Sequence, residues 1–281
     1  MRRRLLHVSD IHFGPHFRPE VADGLFDLID RRRPDLLVIS GDLTRRAKRR
    51  QFEAARAWVD RLPVPWIAVP GNHDVPMYRV WERLLAPYGM YQRVFDEEME
   101  PIVEDDAMLV VGVNTAFNFT VKDGRFTRAA LRRLDRVLAG GAGKAKIVVA
   151  HHHLAPPPRF DTNRVTGRAR EALEIMAHHE VEMVLSGHLH QTYIATSEEY
   201  YPIGSTPVLL VHSGTTTSSR GRGWERRRNS CNWIVIDAET TTIDHLLWRD
   251  EAATFEAWRQ QRFPRAHRVP WTLPTTDDGL E

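Results

Sequence analysis

Leu36-Leu37-Val38-Ile39-Ser40-Gly41-Asp42 sets a pattern that the chain repeats: a short apolar run that ends abruptly on residues able to hold a metal ion. The other copies are Leu5-Leu6-His7-Val8-Ser9-Asp10, Trp66-Ile67-Ala68-Val69-Pro70-Gly71-Asn72-His73-Asp74, Ile147-Val148-Val149-Ala150-His151 and Met183-Val184-Leu185-Ser186-Gly187-His188. Each run has strand length and strand composition and reads as a buried β-strand. Between the first two, Val21, Leu25, Leu28 and Ile29 recur at i, i+4, i+7 and i+8 behind Pro19, the mark of an amphipathic helix. Phe52, Ala55, Val59 and Leu62 repeat the device before the third strand. Two right-handed crossovers, and hence a parallel sheet, follow.

Helices are expected at Val80 to Leu85, from the N-cap Thr127 to Leu138 before Gly140-Gly141, and from Arg168 to His179. Ala107 to Val113, Thr192 to Thr196, Val208 to His212, Asn232 to Asp237 and Thr242 to Trp248 read as further strands, enough for a second, partly antiparallel sheet packed on the first. The expected organisation is α/β, with one catalytic domain over residues 1–250. Residues 251–281 are expected to form a C-terminal helix, Glu251 to Gln261, that covers a surface with Phe255 and Trp258, and then a tail frayed from Thr275 to Glu281. Pro156 to Pro158 reads as a rigid loop.

The 281 residues hold 39 Lys plus Arg against 37 Asp plus Glu, so the chain is nearly neutral. Cys231 is the sole cysteine, which excludes an internal disulfide and a thiolate metal cluster and suits a reducing compartment. No apolar stretch approaches the ~20 residues of a spanning helix. Arg2 to Arg4 precede no signal-peptide core, because His7 and Asp10 interrupt it. The expectation is a cytoplasmic protein without a membrane partner. Near-neutrality and the lack of a long basic groove weigh against a nucleic-acid partner. Self-association through the Thr242 to Trp248 strand or the Phe255/Trp258 face is the one oligomeric expectation.

Ligands of open α/β sheets bind beyond the carboxyl ends of the strands, and those ends carry Asp10, His12, Asp42, Asn72, His73, His151, His188 and His190. Extended residues two apart face one side, so Asp10 with His12, and His188 with His190, can each chelate. Glycines 41, 71 and 187 permit tight backbone there.

Asp10-Ile11-His12, Gly41-Asp42, Gly71-Asn72-His73-Asp74, the His151 strand end and Gly187-His188-Leu189-His190 resemble the five motifs of the calcineurin-like metallophosphoesterases, in order, over about two thirds of the chain. The resemblance implies a four-layer α-β-β-α sandwich of two mixed sheets and a dinuclear centre. By position, Asp10, His12, Asp42 and His190 would bind one divalent ion, and Asp42, Asn72, His151 and His188 the other, with Asp42 shared. Within His151-His152-His153 the register of the ligand stands between His151 and His152, with His151 preferred because it follows the strand directly. His73 would meet the leaving-group oxygen and Asp74 would orient its imidazole. Imidazole and oxygen ligands without thiolate suit manganese first, with iron or zinc as alternatives. Two divalent ions against the carboxylates of Asp10 and Asp42 leave a net +2 to receive a phosphoryl anion.

The activity implied is hydrolysis of small phosphodiesters, as in the bacterial cyclic-nucleotide and glycerophosphodiester branch. The alternatives are a phosphomonoesterase or nuclease of the same family, or a non-catalytic scaffold. The basic runs Arg45 to Arg50 and Arg220 to Arg228 read as surface loops; the other reading is an electropositive mouth for the first, and contact with a base or nucleic acid for the second, whose arginines surround Trp224. His16 is a potential pocket wall, and Asn114-Thr115 would lie either near the site or in packing.

Overall fold

Parallel pairing of the first strands fixes the site edge. In the computed structural model, which describes residues 2–120, 122–156, 164–203 and 207–265, β1 (Arg3–Val8) pairs with β2 (Leu36–Ile39) so that Val8 lies opposite Ile39. Asp10 and Asp42 therefore leave the sheet on the same edge. The next strand, β3 (Trp66–Ala68), pairs parallel to β2. The second sheet repeats the device: β6 (Ala145–Ala150) and β7 (Met183–Ser186) are parallel, and the Gly187 amide donates to the His151 carbonyl at 3.0 Å.

The first sheet is completed by β10 (Ser230–Ile236), β11 (Thr240–Arg249) and β12 (Thr254–Pro264), in the order β12-β11-β10-β1-β2-β3. The second adds β4 (Ile102–Glu104), β5 (Met108–Val113), β8 (Tyr193–Thr196) and β9 (Leu209–His212), in the order β4-β5-β6-β7-β9-β8. Both sheets are mixed. Leu5, Val38, Val110, Ile147, Leu185, Val211 and Ile234 fill the space between them. Outside the first sheet lie α1 (Pro19–Arg32), α2 (Arg49–Val59) and α4 (Gly89–Val94), which bury Val21, Leu25, Phe52 and Tyr91. Outside the second, α5 (Arg128–Ala139) and α6 (Ala169–His178) bury Leu134, Leu173 and Met176. The architecture is thus the expected α-β-β-α sandwich. The short helix α3 (Val80–Leu85) has the expected bounds, and Thr127 caps α5 by accepting the Ala130 amide at 3.0 Å. Pro157, Pro158 and the tail from Thr275 lie outside the described residues.

The expected helix at Glu251 to Gln261 is instead the edge strand β12. Its register explains the misreading. His245 pairs with Arg259 but Leu246 pairs with Ala257, so Trp258 is an extra residue in a β-bulge. The bulge turns Phe255 toward the helical layer and Phe263 into the space between the sheets, although an even spacing separates them. Without the bulge known, the i, i+3 spacing of Phe255 and Trp258 imitates a helix face. Because β11 lies between β10 and β12, the Thr242 to Trp248 strand offers no free edge for pairing with another subunit, and Phe255 is buried. The exposed edge of β12 carries Glu256, Arg259 and Arg262, charges that discourage edge-to-edge association.

Phe255→Ala is expected to cost about 3–5 kcal/mol, whereas Trp258→Ala, which loses mainly its stack on Trp224, should cost about 0.5–1.5 kcal/mol. Urea unfolding midpoints of the two variants check this; a terminal helix docked through both rings would lose comparable amounts at each.

Candidate functional site

Five of the eight motif residues are held in left-handed backbone: Asp10, His12, Asp42, His188 and His190 have φ of 53°, 55°, 54°, 71° and 57°. That conformation costs roughly 1–2 kcal/mol for each side chain with a Cβ. It also corrects the expectation of extended alternation. Asp10 and His12 face one site because both are left-handed, while Ile11 between them is driven into the apolar core. The hydrogen bonds Asp10 N to Gly41 O, 3.1 Å, and His12 N to Asp42 O, 2.9 Å, lock the two ligand-bearing loops together. Glycine is needed opposite them: a Cβ on Gly71 would lie 2.2 Å from Asp42 Oδ1, and one on Gly187 would lie 1.8 Å from Ser9 Oγ.

The side chains converge as two lobes. In one, Asp10 Oδ1 lies 3.5 Å from His12 Nε2 and 3.4 Å from His190 Nε2, and His12 Nε2 lies 3.7 Å from Asp42 Oδ2. In the other, His151 Nε2 lies 3.4 Å from Asp42 Oδ1 and 3.3 Å from Asn72 Oδ1, and His188 Nδ1 lies 3.0 Å from Asn72 Oδ1. Asp42 turns one oxygen to each lobe. His151 Nδ1–H donates to the Ser40 carbonyl at 2.7 Å, which leaves the Nε2 lone pair for the site. His152 instead pairs its Nδ1 with Thr115 Oγ1 at 2.8 Å and sits beside His188.

A divalent cation fits this donor set. Asp10 and Asp42 are fully buried, and Asp10 Oδ1 and Asp42 Oδ2 have no hydrogen-bond partner, an arrangement that costs several kcal/mol unless a cation meets them. Burial lowers the His190 imidazole to about 3, against the opposing pull of Asp10, and holds His188 well below its ordinary value. Both are therefore neutral lone-pair donors at pH 7. Burial would also lower His151, but the Asp42 carboxylate overrides it and raises the group to about 9. Metal binding there must release a proton. Asp10, His12, Asp42 and His190 form one candidate metal-binding group; His151, His152 and His188 form another.

His73 stands at the rim of the centre. Its Nδ1 lies 3.0 Å from the Arg45 carbonyl and 3.1 Å from Arg45 Nη1, and its Nε2 turns toward the cavity, 3.3 Å from Arg220 Nη1. Burial lowers this imidazole to about 4. The expectation that Asp74 orients His73 is corrected: the Asp74 carboxylate accepts the amides of Leu43, Thr44 and Gly71 at 3.1, 2.8 and 2.9 Å. Asp74 thus clamps the Asp42 loop to the Gly71 loop, while backbone of the Arg45 loop orients the imidazole. Arg45 and Arg46 line a cavity of about 280 Å³ together with Asp42, Asn72, His73, His188 and His190. So do Arg220 and Arg222, whereas Arg226, Arg227 and Arg228 are exposed and Trp224 stacks on Trp258. Arg220 Nη1 also approaches His12 Nε2 at 2.9 Å. His16 is exposed beside Ser219, and Thr115 is buried against His152.

Two mixed sheets between helical layers, crested by paired clusters of Asp, Asn and His that share one aspartate, define a metallophosphoesterase-type site. The chain belongs to the calcineurin-like phosphoesterase family, whose sequence profile matches residues 3–192. It is 32% identical over 178 residues, 62% of this chain and 64% of the relative, to a Synechococcus protein named as a probable cyclic nucleotide phosphodiesterase. It is 27% identical over 164 residues, 54% of this chain and 57% of the relative, to a glycerophosphodiester phosphodiesterase of Enterobacter lignolyticus. Both matches span less than two thirds of the relatives' own length. In fold it resembles a purple acid phosphatase from yellow lupin (Lupinus luteus), with a TM-score of 0.69, 14% identity, and coverage of 95% of this chain and 55% of that one.

Sequence reasoning missed Glu225, a buried carboxyl whose oxygens accept the Thr192 amide at 2.9 Å and the Ser230 hydroxyl at 2.8 Å. It ties the segment after His190 to the turn bearing Arg222. Only a buried acid would reveal it, and nothing in its sequence neighbours Arg226 to Arg228 signals burial. Burial raises Glu225 to about 7 from an ordinary value of 4.5. The folded state therefore holds a proton that the unfolded state releases, so this group makes stability fall as pH rises from about 4.5 to about 7. Glu225→Gln keeps the shape and lets the Ser230 hydroxyl turn to accept. Relative to wild type it should remove roughly 1–3 kcal/mol of that pH-dependent loss. Denaturant unfolding from pH 4.5 to pH 8 checks this; parallel curves for the two proteins would contradict it.

Proposed function

We propose that the chain is a dinuclear metal-dependent phosphodiesterase acting on small phosphodiesters of the cyclic-nucleotide or glycerophosphodiester kind. One observation carries the reading: the two oxygens of Asp42 face two separate lobes of neutral-capable imidazole and oxygen donors, at the mouth of a cleft lined by arginine. Asp10, His12, Asp42 and His190 would hold one ion and Asp42, Asn72, His151 and His188 the other, with manganese the working identity. When bound, the pair supplies positive charge to polarise the phosphoryl oxygens and to make water a nucleophile at neutral pH.

The chain's own groups do the rest. Arg45 and Arg220 flank His73 and draw an anionic ester into the cleft. His151, fixed by Ser40, and Asp42, whose Oδ1 accepts the His73 amide at 2.8 Å, keep the centre in place without rearrangement. The His73 Nε2 faces the cavity as the group to serve the leaving oxygen. Donation requires the imidazolium, which burial, Arg45 and Arg220 disfavour and which Asp42 and a phosphoryl anion favour. The similarity to relatives named for cyclic nucleotides and glycerophosphodiesters supports diesters over monoesters.

Protein stripped with chelator and reloaded with Mn²⁺ should hydrolyse bis(p-nitrophenyl) phosphate faster than p-nitrophenyl phosphate. A rate ratio below one would move the assignment to a monoesterase, and no metal-dependent turnover of either would favour a scaffold. His73→Ala should retain bound metal yet slow esters of poor leaving groups by roughly 10²- to 10⁴-fold, more than it slows aryl esters. Equal slowing of both classes would remove His73 from the proton-donor role.

A further inference from the structure

Six of the nine large apolar side chains exposed among the described residues lie between positions 77 and 85, on and just before α3. Trp81 and Leu85 are 76% and 81% exposed, and Phe119, on a neighbouring loop, is 71% exposed. Such a concentration on one surface marks an interaction site. Arg83 makes the patch continuous: its guanidinium donates to the carbonyls of Pro76, Asn118 and Thr120, sewing the Phe119 loop to α3. The patch also runs into the mouth of the cleft. Arg46 lies 2.9 Å from Met77 Sδ and 4.9 Å from the Tyr78 ring, and Arg46, Met77, Arg83 and Lys122 line the cleft itself.

Charge selects the occupant. Segments 76–86 and 117–125 hold Arg79, Arg83, Lys122 and Arg125 against Glu82 and Asp123. Both acids are already paired, Glu82 with Arg79 at 2.7 Å and Asp123 with Arg164 at 3.4 Å. Arg46 meets Met77 and the Tyr78 ring, not an acid, and Lys122 is exposed at the cleft. A second copy docked about a two-fold axis would set this unneutralised positive charge against itself. An anionic phospholipid surface satisfies both halves: apolar and aromatic side chains enter the boundary between headgroup and acyl chain, and cations meet phosphate.

We propose that α3 and the Phe119 loop form a peripheral docking face for anionic phospholipid, which turns the mouth of the cleft toward the headgroups. This goes beyond the diesterase reading and departs from the expectation of a protein without a membrane partner. It requires no spanning segment, and among the described residues no helix is long and apolar enough to cross a membrane.

The test is co-sedimentation of the full chain with vesicles of phosphatidylcholine alone and of phosphatidylcholine mixed with phosphatidylglycerol, at low and at raised salt. Binding is expected to the mixed vesicles, weaker with salt and weak to phosphatidylcholine alone. Trp81→Asp/Leu85→Asp alters two side chains that lie outside the cleft. It should reduce binding by about tenfold or more, with an unchanged thermal midpoint and unchanged turnover of bis(p-nitrophenyl) phosphate. Failure of wild type to bind mixed vesicles, equal binding to both vesicle types, or equal binding by the variant would each overturn the proposal. So would a dimer in sedimentation velocity that the same variant dissolves, which would give the face to a second copy. Because the readout is binding, it stands apart from the diesterase reading, which is decided by metal-dependent turnover and by the ratio of diester to monoester rates.

Discussion

Two carboxylates, Asp10 and Asp42, are buried at the crest of the sandwich with an oxygen apiece that meets no hydrogen-bond donor. Isolated buried charge of this kind is among the costliest features a fold can carry. Everything around it is arranged either to tolerate it or to use it. The parallel pairing of β1 with β2 brings the two carboxylates to one edge, and the second sheet brings His151 and His188 to face them. Two carboxylate oxygens there are left unsatisfied by the protein, and they lie within the donor groups able to hold a cation.

The same constraint accounts for the strain. Left-handed backbone at Asp10, His12, Asp42, His188 and His190 turns each side chain back over the strand end, where extended backbone would carry it past. The sandwich absorbs that cost through three contiguous apolar clusters, one between the sheets and one beneath each helical layer. Asp74 and Glu225 perform the local fixing. One clamps the loops that carry Asp42 and Asn72, and the other holds the segment beyond His190. Neither needs to touch the reacting atoms to matter.

Much of this was legible in the sequence, for a physical reason. Strands buried on both faces are nearly continuous apolar runs, so a polar residue at the end of one, such as Asp42 or His151, stands out against its neighbours. Helix α3 was readable at its bounds, and α5 from Thr127 as a cap and Gly140-Gly141 as a stop. What escaped depends on contacts distant in sequence. β12 imitates a helix because its bulge at Trp258 breaks the alternation. Arg220 and Arg222 sit in a polar loop whose approach to His12 spans more than two hundred residues, and no local pattern encodes it. The partner of His73 is the Arg45 loop and not adjacent Asp74, because the turn at Asn72–Asp74 points successive side chains apart.

On the proposed function, Asp42 stands between two ions. Anomalous diffraction from crystals grown with Mn²⁺, recorded near the manganese absorption edge, tests it directly. Two peaks are expected to flank the Asp42 carboxylate, one among Asp10, His12 and His190 and the other among Asn72, His151 and His188. A single peak, or two peaks of which neither contacts Asp42, would contradict it.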